Sequence, residues 1–419
     1  MFHYLDGQLH AERVRLSEIA GAAGTPVYVY SSAVFASRFR EFTEGLAGID
    51  HLICYAMKAN SNQAILRLLL GLGSGFDAVS AGEIERAAAA GAPGGRIVFS
   101  GVGKTGTELR QALDTGVRHF NVESEPELAM LSEIAASSGR VAPVAIRVNP
   151  DIDAGTHHKI STGKAENKFG VPVSRVREVY RQAAQLPGLR IVGLDMHIGS
   201  QITALAPFEA AFRRAAELVA QLRADGHRIT RLDVGGGLGI SYGDSDAQLP
   251  DAGQYCRLLQ RTLAHLECEI EIEPGRYIAG PGGVLLTTVL YAKQGEGRRF
   301  LIVDAAMNDL HRTAIYGAWH DIQPLRQPRT DADPEEVDIV GPVCESSDTF
   351  ARGRAMPPTQ AGQLLAIRSA GAYGAVMASE YNTRALVPEV LVQDDRFAVV
   401  RSRPSIADII ARDIMPDWL

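Results

Sequence analysis

Short, largely apolar runs alternate with helical stretches rich in alanine and leucine between about residues 50 and 275. The first five runs begin roughly 22 to 24 residues apart, a repeat typical of one strand followed by one helix. Eight such runs are present, at His51–Ala56, Gly75–Ala78, Ile97–Ser100, His119–Val122, Pro143–Val148, Ile191–His197, Arg231–Val234 and Ile270–Ile272. Strands that alternate with helices form parallel sheets, so the pattern predicts an α/β fold built on a (β/α)8 TIM barrel.

A second pattern begins after about residue 276. Segments such as GVLLTTVLYAKQ (283–294) and RFAVVRSR (396–403) predict antiparallel strands separated by turns. The first 30 residues include part of TPVYVYS (25–31), and we expect them to pack with these strands. The sequence thus predicts a barrel over residues 33–275. It also predicts a mostly antiparallel, sandwich-like or barrel-like β domain over residues 1–32 and 276–419.

Composition narrows the classes of protein that fit. No apolar run approaches the roughly 20 residues of a membrane span. The N-terminal stretch MFHYLDGQLHAERVRL contains acidic residues, unlike a signal peptide, so we expect a cytoplasmic protein with no membrane helix. The net charge is −7 and no basic stripe stands out, so nucleic acid is not an expected partner. The four cysteines form no CxxC pair and no zinc-like spacing, which predicts neither a disulfide framework nor a metal site.

Polar side chains and glycines follow the predicted barrel strands where the strands end. A barrel of this type carries its chemistry at the carboxyl ends of its strands, so we expect these residues to face one common opening. They are Lys58, Asp77, Arg147, His197, Ser200, Gly235, Gly236, Gly237, Glu273 and Arg276.

Lys58 directly follows an apolar strand and is one of only six lysines among 42 basic residues. A desolvated lysine can attack a carbonyl carbon. A lysine that extends its amine to solvent at a strand end fits the position equally well. The run GGGLG (235–239) does not fit the pattern G-x-G-x-x-G, which disfavours NAD. It leaves open either a phosphate site or a tight turn without a ligand.

Glu273 and His197 are ambiguous when each is taken alone. Glu273 fits an ion pair with an arginine, and His197 fits a hydrogen-bonded structural role. Together with a lysine amine and a glycine-rich phosphate site, they describe a site for pyridoxal 5′-phosphate. In such a site the amine forms a Schiff base, backbone groups hold the phosphate, and a carboxylate keeps the pyridine nitrogen protonated, which makes the ring a better electron sink.

Longer motifs extend over the whole chain. They are YAMKAN (55–60), NPDIDAGTHHKISTGKAENKFG (149–170), HIGSQ (197–201), DVGGGLG (233–239), EPGR (273–276), LHRTAIYGAWH (310–320), GPVCESSD (341–348), and GAYG with YNTR (371–384). Through them the chain resembles the diaminopimelate decarboxylases, which are alanine-racemase-like, fold-type-III pyridoxal-phosphate enzymes. Segment 149–170, which is polar and too long for a simple connection, is interpreted as a lid.

The resemblance implies how the cofactor is bound. Lys58 carries it covalently, His197 stacks on the pyridine ring, and Glu273 faces the ring nitrogen. The other implied cofactor contacts are Asp77, Arg147, Ser200, Gly235, Gly236, Gly237, Gly275, Arg276 and Tyr373.

The resemblance also implies how the substrate is bound. Arg276, Arg312 and Tyr316 bind carboxylate, Glu345 binds a distal ammonium, and Tyr373 contacts both substrate and cofactor. Arg312 and Tyr316 are four residues apart, so they share a face if this segment is helical. A guanidinium and a phenol side by side suit a carboxylate.

Cys344 is the residue whose role depends most on the resemblance. Alone, it fits a buried cysteine that packs as a small hydrophobic side chain. In the family it delivers a proton to the substrate carbon, and Cys344 and Glu345 enter the active site of the other subunit. The resemblance therefore implies a head-to-tail homodimer with shared sites, in which the β domain supplies substrate-binding and interface residues.

The reaction implied is the decarboxylation of meso-2,6-diaminopimelate to L-lysine, the last step of lysine biosynthesis. One alternative is a related decarboxylase that acts on ornithine, arginine, carboxynorspermidine or a modified amino acid. The first three of these substrates lack the distal carboxylate or its spacing, which leaves Arg312 and Glu345 harder to explain. An alternative of another class is an inactive homologue that regulates a partner. Such proteins lose cofactor ligands, whereas Lys58, His197, Glu273 and Cys344 are all present here.

Overall fold

The structure is a computed structural model that describes residues 1–155, 162–163, 167–243, 248–328 and 333–419. The chain forms two compact units. The barrel unit comprises Ala36–Ile240 and Gln248–Ile278. The β unit comprises Met1–Phe35, a short segment that begins at Ser241, and Ala279–Leu419.

The first elements of the chain precede the barrel strands. They are β1 (Phe2–Leu5), β2 (Gln8–Ala11), β3 (Val14–Arg15), α1 (Leu16–Ala23), β4 (Val27–Ser31) and α2 (Ser32–Gly45).

The barrel unit then alternates strands and helices. Its strands are β5 (His51–Ala56), β6 (Gly75–Ala78), β7 (Ile97–Phe99), β8 (His119–Val122), β9 (Ala142–Asn149), β10 (Val171–Pro172), β11 (Leu189–Asp195), β12 (Arg231–Asp233) and β13 (Glu269–Ile272). Its helices are α3 (Gln63–Gly71), α4 (Ala81–Ala89), α5 (Gly106–Thr115), α6 (Glu125–Ser137), α7 (Val176–Ala183), α8 (Ala206–Ala224), α9 (Ala252–Leu263) and α10 (Arg276–Ala279).

Eight parallel strands close into a barrel in the order β5, β6, β7, β8, β9, β11, β12, β13 and back to β5. The short strand β10 adds to the side of β9 in parallel. The predicted (β/α)8 barrel is therefore confirmed, and each predicted strand agrees with a barrel strand to within two residues. The largest difference is at β11, which ends at Asp195, so His197 lies beyond the strand and not on it.

Local sequence signals explain where the barrel helices begin. Helix α5 starts with a capping box, in which the Thr105 side chain and the Glu108 side chain bond each other's backbone N–H groups. Helix α9 starts in the same way with Asp251 and Gln254. Because these caps fix where helices follow strands, they also fix where the strand ends project their side chains.

The remaining elements belong mostly to the β unit. They are β14 (Gly283–Gln294), β15 (Arg299–Val303), α11 (Arg312–Tyr316), β16 (Ile322–Pro324), β17 (Glu335–Val340), β18 (Thr349–Met356), β19 (Leu364–Ile367), β20 (Glu389–Gln393), β21 (Arg396–Arg401) and α12 (Ile406–Ile410).

The β unit holds a three-stranded sheet of β1, β2 and β3 and a nine-stranded sheet. The main path of the larger sheet runs β18, β17, β15, β14, β4, β20, β21, and β19 pairs with both β14 and β16. The prediction of a mostly antiparallel β domain is confirmed, with two parallel pairs as exceptions: β15 with β17, and β4 with β20. A parallel pair needs a long crossover connection. The chain supplies one in each case, since α11 and β16 lie between β15 and β17, and the whole barrel lies between β4 and β20.

Strand β4 shows how the N-terminal segment joins this sheet. Every residue of Val27–Ser31 is buried, as expected of a central strand with neighbours on both edges. Val27 and Val29 pack in one core with residues of β14 and β20. In the described part of the chain, no helix is both long enough and apolar enough to cross a membrane.

Candidate active site

Lys58 sits on a single 3-10 turn, Met57–Ala59, directly after β5. Its Nζ donates a hydrogen bond to Oδ2 of Asp77 at 2.7 Å. Asp77 is fully buried on β6, where it pairs in register with Ala56 of β5. The Lys58 side chain remains 38% exposed, so its amine is anchored by a buried carboxylate and still open to a reactant.

The second oxygen of Asp77, Oδ1, is buried and has no hydrogen-bond partner among the described residues. A buried oxygen of this kind is costly unless something bonds to it. The end of β6 therefore has acceptor capacity for a further group that carries a donor.

Glu273 follows β13 and is buried. Burial raises the pKa of Glu273 well above its usual value, Asp233 and Asp77 add to the rise, and Lys58 and Arg147 oppose it. A carboxyl group in this environment shares a proton readily with a basic nitrogen. This property suits the predicted position facing a pyridine ring.

Ser100 and Asn121 connect Glu273 to the barrel interior. Ser100 Oγ donates to Glu273 Oε1 at 3.4 Å, and Asn121 Nδ2 donates to Ser100 Oγ at 3.1 Å. Asn121 Nδ2 is also 3.4 Å from Asp233 Oδ2. The sequence analysis missed these three residues. The sequence feature that could have indicated such residues is a polar side chain at every second position of a strand that is otherwise apolar. His119 and Asn121 of β8 show this pattern.

His197 lies beside the glycine run. The backbone N–H of Gly236 donates to His197 Nδ1 at 3.1 Å, so Nδ1 acts as an acceptor. Burial lowers the pKa of His197 well below its usual value, and the charges of Arg147 and Lys58 add to this effect. The imidazole is therefore neutral, with its proton on Nε2, and it can pack against an aromatic ring without adding charge.

The glycine run is required by close backbone packing. A Cβ on Gly236 would lie 2.1 Å from the carbonyl oxygen of Glu273, and one on Gly235 would lie 2.6 Å from His197 Nδ1. The N–H of Gly235 donates to Asp233 Oδ1 at 2.9 Å, so two of the three glycine N–H groups are bonded within the protein. A phosphate bound here would therefore meet the third, that of Gly237.

Ser200 and Arg276 lie together, as predicted. Arg276 donates to Ser200 Oγ from Nη2 at 3.0 Å and from Nε at 3.3 Å. Arg276 is 7% exposed, so its charge is largely withdrawn from water. Gly275 packs tightly against Ala56 and Ala59, which brings this segment next to the turn that carries Lys58.

Arg147 is held by carboxylates that the sequence analysis did not identify. Its Nη1 donates to Glu123 Oε1 at 3.2 Å, and its Nε lies 3.9 Å from Asp195 Oδ2. Glu123 Oε2 also accepts the N–H of Gly170 at 3.1 Å. Because Gly170 is the last residue of the predicted lid, the carboxylate that holds Arg147 also holds the base of that segment.

Much of the predicted lid, residues 156–161 and 164–166, lies outside the described residues. Within the described part, Thr162 Oγ1 donates to the carbonyl oxygen of His197 at 3.1 Å. The N–H of Ile152 donates to the carbonyl oxygen of Gly163 at 2.8 Å. The lid function stays a prediction.

A second polar layer lies within the barrel. Asp195, Asp233 and Glu271 are in register on β11, β12 and β13. Glu271 Oε2 is 3.3 Å from His119 Nε2, and the side chain of Arg118 also bonds to Glu271. His119, Asp233 and Glu271 are the kind of group that can hold a metal ion. The arginine already supplies a cation there.

The other predicted site residues belong to the β unit. Arg312 and Tyr316 lie on the short helix α11, so the condition under which their spacing places them on one face is met, and Arg312 is 6% exposed. Tyr373 adopts a left-handed backbone conformation with φ of 56°.

Cys344 is exposed, so its interpretation as a buried hydrophobic residue is wrong. Its loop is organised by Asp348, whose carboxylate accepts the N–H of Val343 at 2.7 Å and the N–H of Met307 at 2.6 Å. The adjacent Glu345 accepts a hydrogen bond from Ser347. Asp348, the last residue of the motif CESSD, therefore stabilises the conformation of this loop.

Comparisons with known proteins agree with this arrangement. Residues 32–280 match the family described as pyridoxal-dependent decarboxylase, pyridoxal binding domain. The diaminopimelate decarboxylase of Pseudomonas aeruginosa is 50% identical over 410 residues, which cover 98% of both chains.

Two solved structures are also similar. The diaminopimelate decarboxylase of M. jannaschii in complex with L-lysine has a TM-score of 0.95 and 35% identity, covering 100% of this chain and 99% of that one. The Helicobacter pylori diaminopimelate decarboxylase complexed with L-lysine has a TM-score of 0.90 and 42% identity, covering 94% of this chain and 98% of that one. With a lysine amine, a raised carboxyl pKa and a neutral histidine at the strand ends, this chain belongs to the diaminopimelate decarboxylase family of pyridoxal-dependent decarboxylases.

Proposed function

We propose that this chain decarboxylates meso-2,6-diaminopimelate to L-lysine and carbon dioxide, with pyridoxal 5′-phosphate bound at the strand ends of the barrel. The observation that carries the proposal is the Lys58 amine, which is accessible and hydrogen-bonded at 2.7 Å to the buried Asp77 beside Glu273. The substrate is inferred from the relatives, among them a diaminopimelate decarboxylase that is 50% identical over 98% of this chain.

The barrel residues fit this cofactor. The Lys58 amine would bind it covalently, Glu273 would face the ring nitrogen, and the neutral ring of His197 would pack against it. The unpartnered oxygen of Asp77 supports the presence of a bound polar group with a donor beside Lys58. When bound, the cofactor supplies an electron sink for the bond that breaks at the substrate α-carbon.

A smaller group of residues would hold the phosphate. These are Gly237, whose N–H is the third of the glycine run, the Ser200 hydroxyl, and the adjacent Gly275 and Arg276. A hydroxyl, a guanidinium and backbone amides are all hydrogen-bond donors suited to an anion.

The substrate carries two amino groups and two carboxylates, and the β unit offers matching charges. Arg312 and Tyr316 share one face of α11 and would bind the distal carboxylate. Glu345 would bind the distal ammonium, and Tyr373 would contact both substrate and cofactor. These pairings favour diaminopimelate over ornithine or arginine, because those amino acids offer no distal carboxylate to Arg312.

Cys344 would return a proton to the carbon that loses carbon dioxide. Its exposed thiol can exchange a proton with solvent and then with a bound molecule. In the proposed enzyme the site is completed in a homodimer, to which the partner chain contributes Cys344 and Glu345. A cytoplasmic location, expected from the sequence, stays a prediction.

The experiment is to supply purified, cofactor-loaded protein separately with meso-diaminopimelate, ornithine, arginine and lysine, and to measure carbon dioxide and the amino-acid product. We expect release from meso-diaminopimelate alone, with lysine as product. Release from another amino acid would support the proposed cofactor and contradict the proposed substrate. No release from any of them by protein that binds the cofactor would favour a modified substrate or a regulatory homologue.

A further inference from the structure

His320 is fully buried in the β unit, and both of its ring nitrogens are hydrogen-bonded. Nδ1 lies 2.7 Å from the carbonyl oxygen of Arg368. Nε2 lies 2.7 Å from Nη1 of Arg312, the residue proposed to bind the distal carboxylate. The histidine thus lies directly behind a substrate-binding side chain.

These two partners determine the state of the ring. A carbonyl oxygen only accepts hydrogen bonds, so Nδ1 must carry a proton and donate it to Arg368. An arginine only donates, so Nε2 must be unprotonated and accept from Arg312. His320 is therefore the neutral tautomer with its proton on Nδ1, a conclusion that follows from the partners alone.

Arg312 is also held on its flat side. Its Cζ lies 4.3 Å from the centre of the Tyr242 ring, a stacking distance at which ring and cation attract each other. Tyr242 in turn meets the His320 ring edge to face, with ring centres 5.1 Å apart and planes at 73°. Together the two rings fix the plane and the direction of the guanidinium.

The backbone of His320 is fixed as well. Arg354 donates from both Nη1 and Nη2 to the carbonyl oxygen of His320, each at 3.1 Å, and its Cζ lies 3.5 Å from the ring centre of Trp319. The imidazole therefore has little freedom to turn away from Arg312. Unlike a carboxylate, a neutral imidazole orients the arginine and leaves its positive charge for the ligand.

We propose that His320 is a positioning residue, which aims Arg312 at the distal carboxylate of the substrate and loses this ability when it gains a proton. The inference rests on the proposed function of Arg312. A proton on Nε2 would place two donors face to face, which removes the hydrogen bond and adds repulsion between two cations. Substrate binding would then weaken at low pH, whereas the chemical step at the cofactor would not change through this contact.

Charged and titratable groups around His320 set when it gains that proton. Arginine side chains, an arginine carbonyl oxygen and a phenol contact it directly, and the next residue along the chain carries a carboxyl group. The backbone N–H of that residue, Asp321, donates to the carbonyl oxygen of Tyr242 at 3.0 Å. The groups are Arg312, Arg354, Arg368, Tyr242 and Asp321. Among these described contacts, the positive charges of the arginines oppose a further positive charge on the ring.

The test compares His320→Leu, which removes the acceptor, with His320→Gln, whose side-chain oxygen can accept from Arg312 but cannot titrate. His10→Gln is the matched control, because His10 is also buried in the β unit and its Nδ1 also bonds a backbone carbonyl oxygen, at 2.9 Å. Far-UV circular dichroism and bound-cofactor absorption establish that each variant is folded and loaded.

For His320→Leu we expect KM for meso-diaminopimelate to rise about tenfold or more, the usual effect of losing a hydrogen bond to a charged group, with kcat changed less than about threefold. His320→Gln should recover most of the affinity. The wild-type KM should rise as the pH falls below the ordinary histidine range, from about 6.5 towards about 5, and that of His320→Gln should change less over the same range. A loss of kcat at unchanged KM, or the same pH profile in wild type and His320→Gln, would overturn the proposal.

A second readout does not depend on turnover. Nitrogen NMR of 15N-histidine-labelled protein without cofactor should show the His320 ring with its proton on Nδ1 at neutral pH. The signals of this ring are identified because they are missing from the spectrum of His320→Gln. A ring protonated on Nε2 would contradict the proposed role of His320 even if the enzyme decarboxylates meso-diaminopimelate. If the wild type makes no lysine while the NMR result holds, the proposed substrate fails and the arrangement of His320 and Arg312 stands.

Discussion

Lys58 owes its predicted reactivity to its neighbours within hydrogen-bonding distance. Asp77 anchors the amine from one side at 2.7 Å, and the side chain remains 38% exposed. Burial raises the pKa of Glu273 well above its usual value, and the charges of Asp233 and Asp77 add to the rise. The site thus combines an accessible amine with a carboxyl group suited to a ring nitrogen.

Replacing Lys58 with alanine is therefore predicted to abolish turnover and covalent cofactor attachment together. Borohydride reduction of loaded protein, followed by peptide mass spectrometry, measures attachment directly. The wild type should carry the added mass on the peptide that contains Lys58. Lys293→Ala, which changes an exposed lysine of β14, should keep full attachment and activity. Attachment at another lysine in the Lys58→Ala protein would refute the assignment.

At this scale the sequence revealed the residues at strand ends but not their partners. Lys58, His197 and Glu273 could be predicted because a barrel collects the ends of its strands at one face. Ser100, Glu123 and Asp233 could not be matched to them, because their hydrogen bonds depend on strand register and on the closure of the barrel. His320 lies within a motif, yet its bond to Arg312 depends on how α11 and the following loop turn.

Among the secondary-structure elements, β11, β12 and β13 place acids side by side in the barrel interior. Burial raises the pKa of Asp233 well above its usual value, and the neighbouring Asp195 and Glu271 add to the rise. A carboxyl group of this kind takes up a proton on folding at any pH between its unfolded and its folded pKa. It therefore lowers the free energy of unfolding as the pH rises above about 4.

Asp233→Asn should remove this penalty. Its side-chain oxygen can still accept the N–H of Gly235. Rotation of the Asn121 amide, whose nitrogen faces Asp233, would turn its oxygen, which has no partner among the described residues, towards the new amide. We expect the stability of the variant relative to wild type to increase by about 1 kcal/mol or more between pH 5 and pH 8, the value of one pKa unit. Denaturant unfolding of the cofactor-free protein, followed by circular dichroism at both pH values, measures this difference.

Asp225→Asn is the control for this prediction. Asp225 is a surface residue that bonds Arg177, and this hydrogen bond lowers the pKa of its carboxyl group, so its replacement should give no gain with rising pH. If Asp233→Asn destabilised the protein equally at pH 5 and pH 8, the buried acid would be serving as a charged partner and not as a protonated one.

For the whole molecule, the barrel was predictable because eight apolar runs recur at the spacing of a strand and a helix. The β unit was harder, since its strand order depends on contacts between distant parts of the chain. The parallel pair of β4 and β20 joins strands that the entire barrel separates along the sequence. No local sequence pattern predicts such a pairing. The shared site of a homodimer is a further step that the sequence implies only through resemblance.

The proposed shared site of a homodimer leads to a quantitative prediction for mixed protomers. Lys58→Ala and Cys344→Ala proteins should each be inactive alone. If one subunit supplies Lys58 and the other Cys344, a mixed dimer contains one intact site and one doubly defective site. Random re-pairing of equal amounts should then restore about one quarter of wild-type activity, because half of the dimers are mixed. Verified mixed dimers without recovered activity would mean that each chain builds its own site.

The most direct measurement is the product formed from meso-diaminopimelate in deuterium oxide, analysed by NMR and mass spectrometry. We predict L-lysine with one deuterium on the carbon that lost its carboxyl group, because the exchangeable thiol of Cys344, the proposed proton donor, would return a deuteron there. Unchanged meso-diaminopimelate in the presence of bound cofactor, or a product other than lysine, would contradict the proposed function.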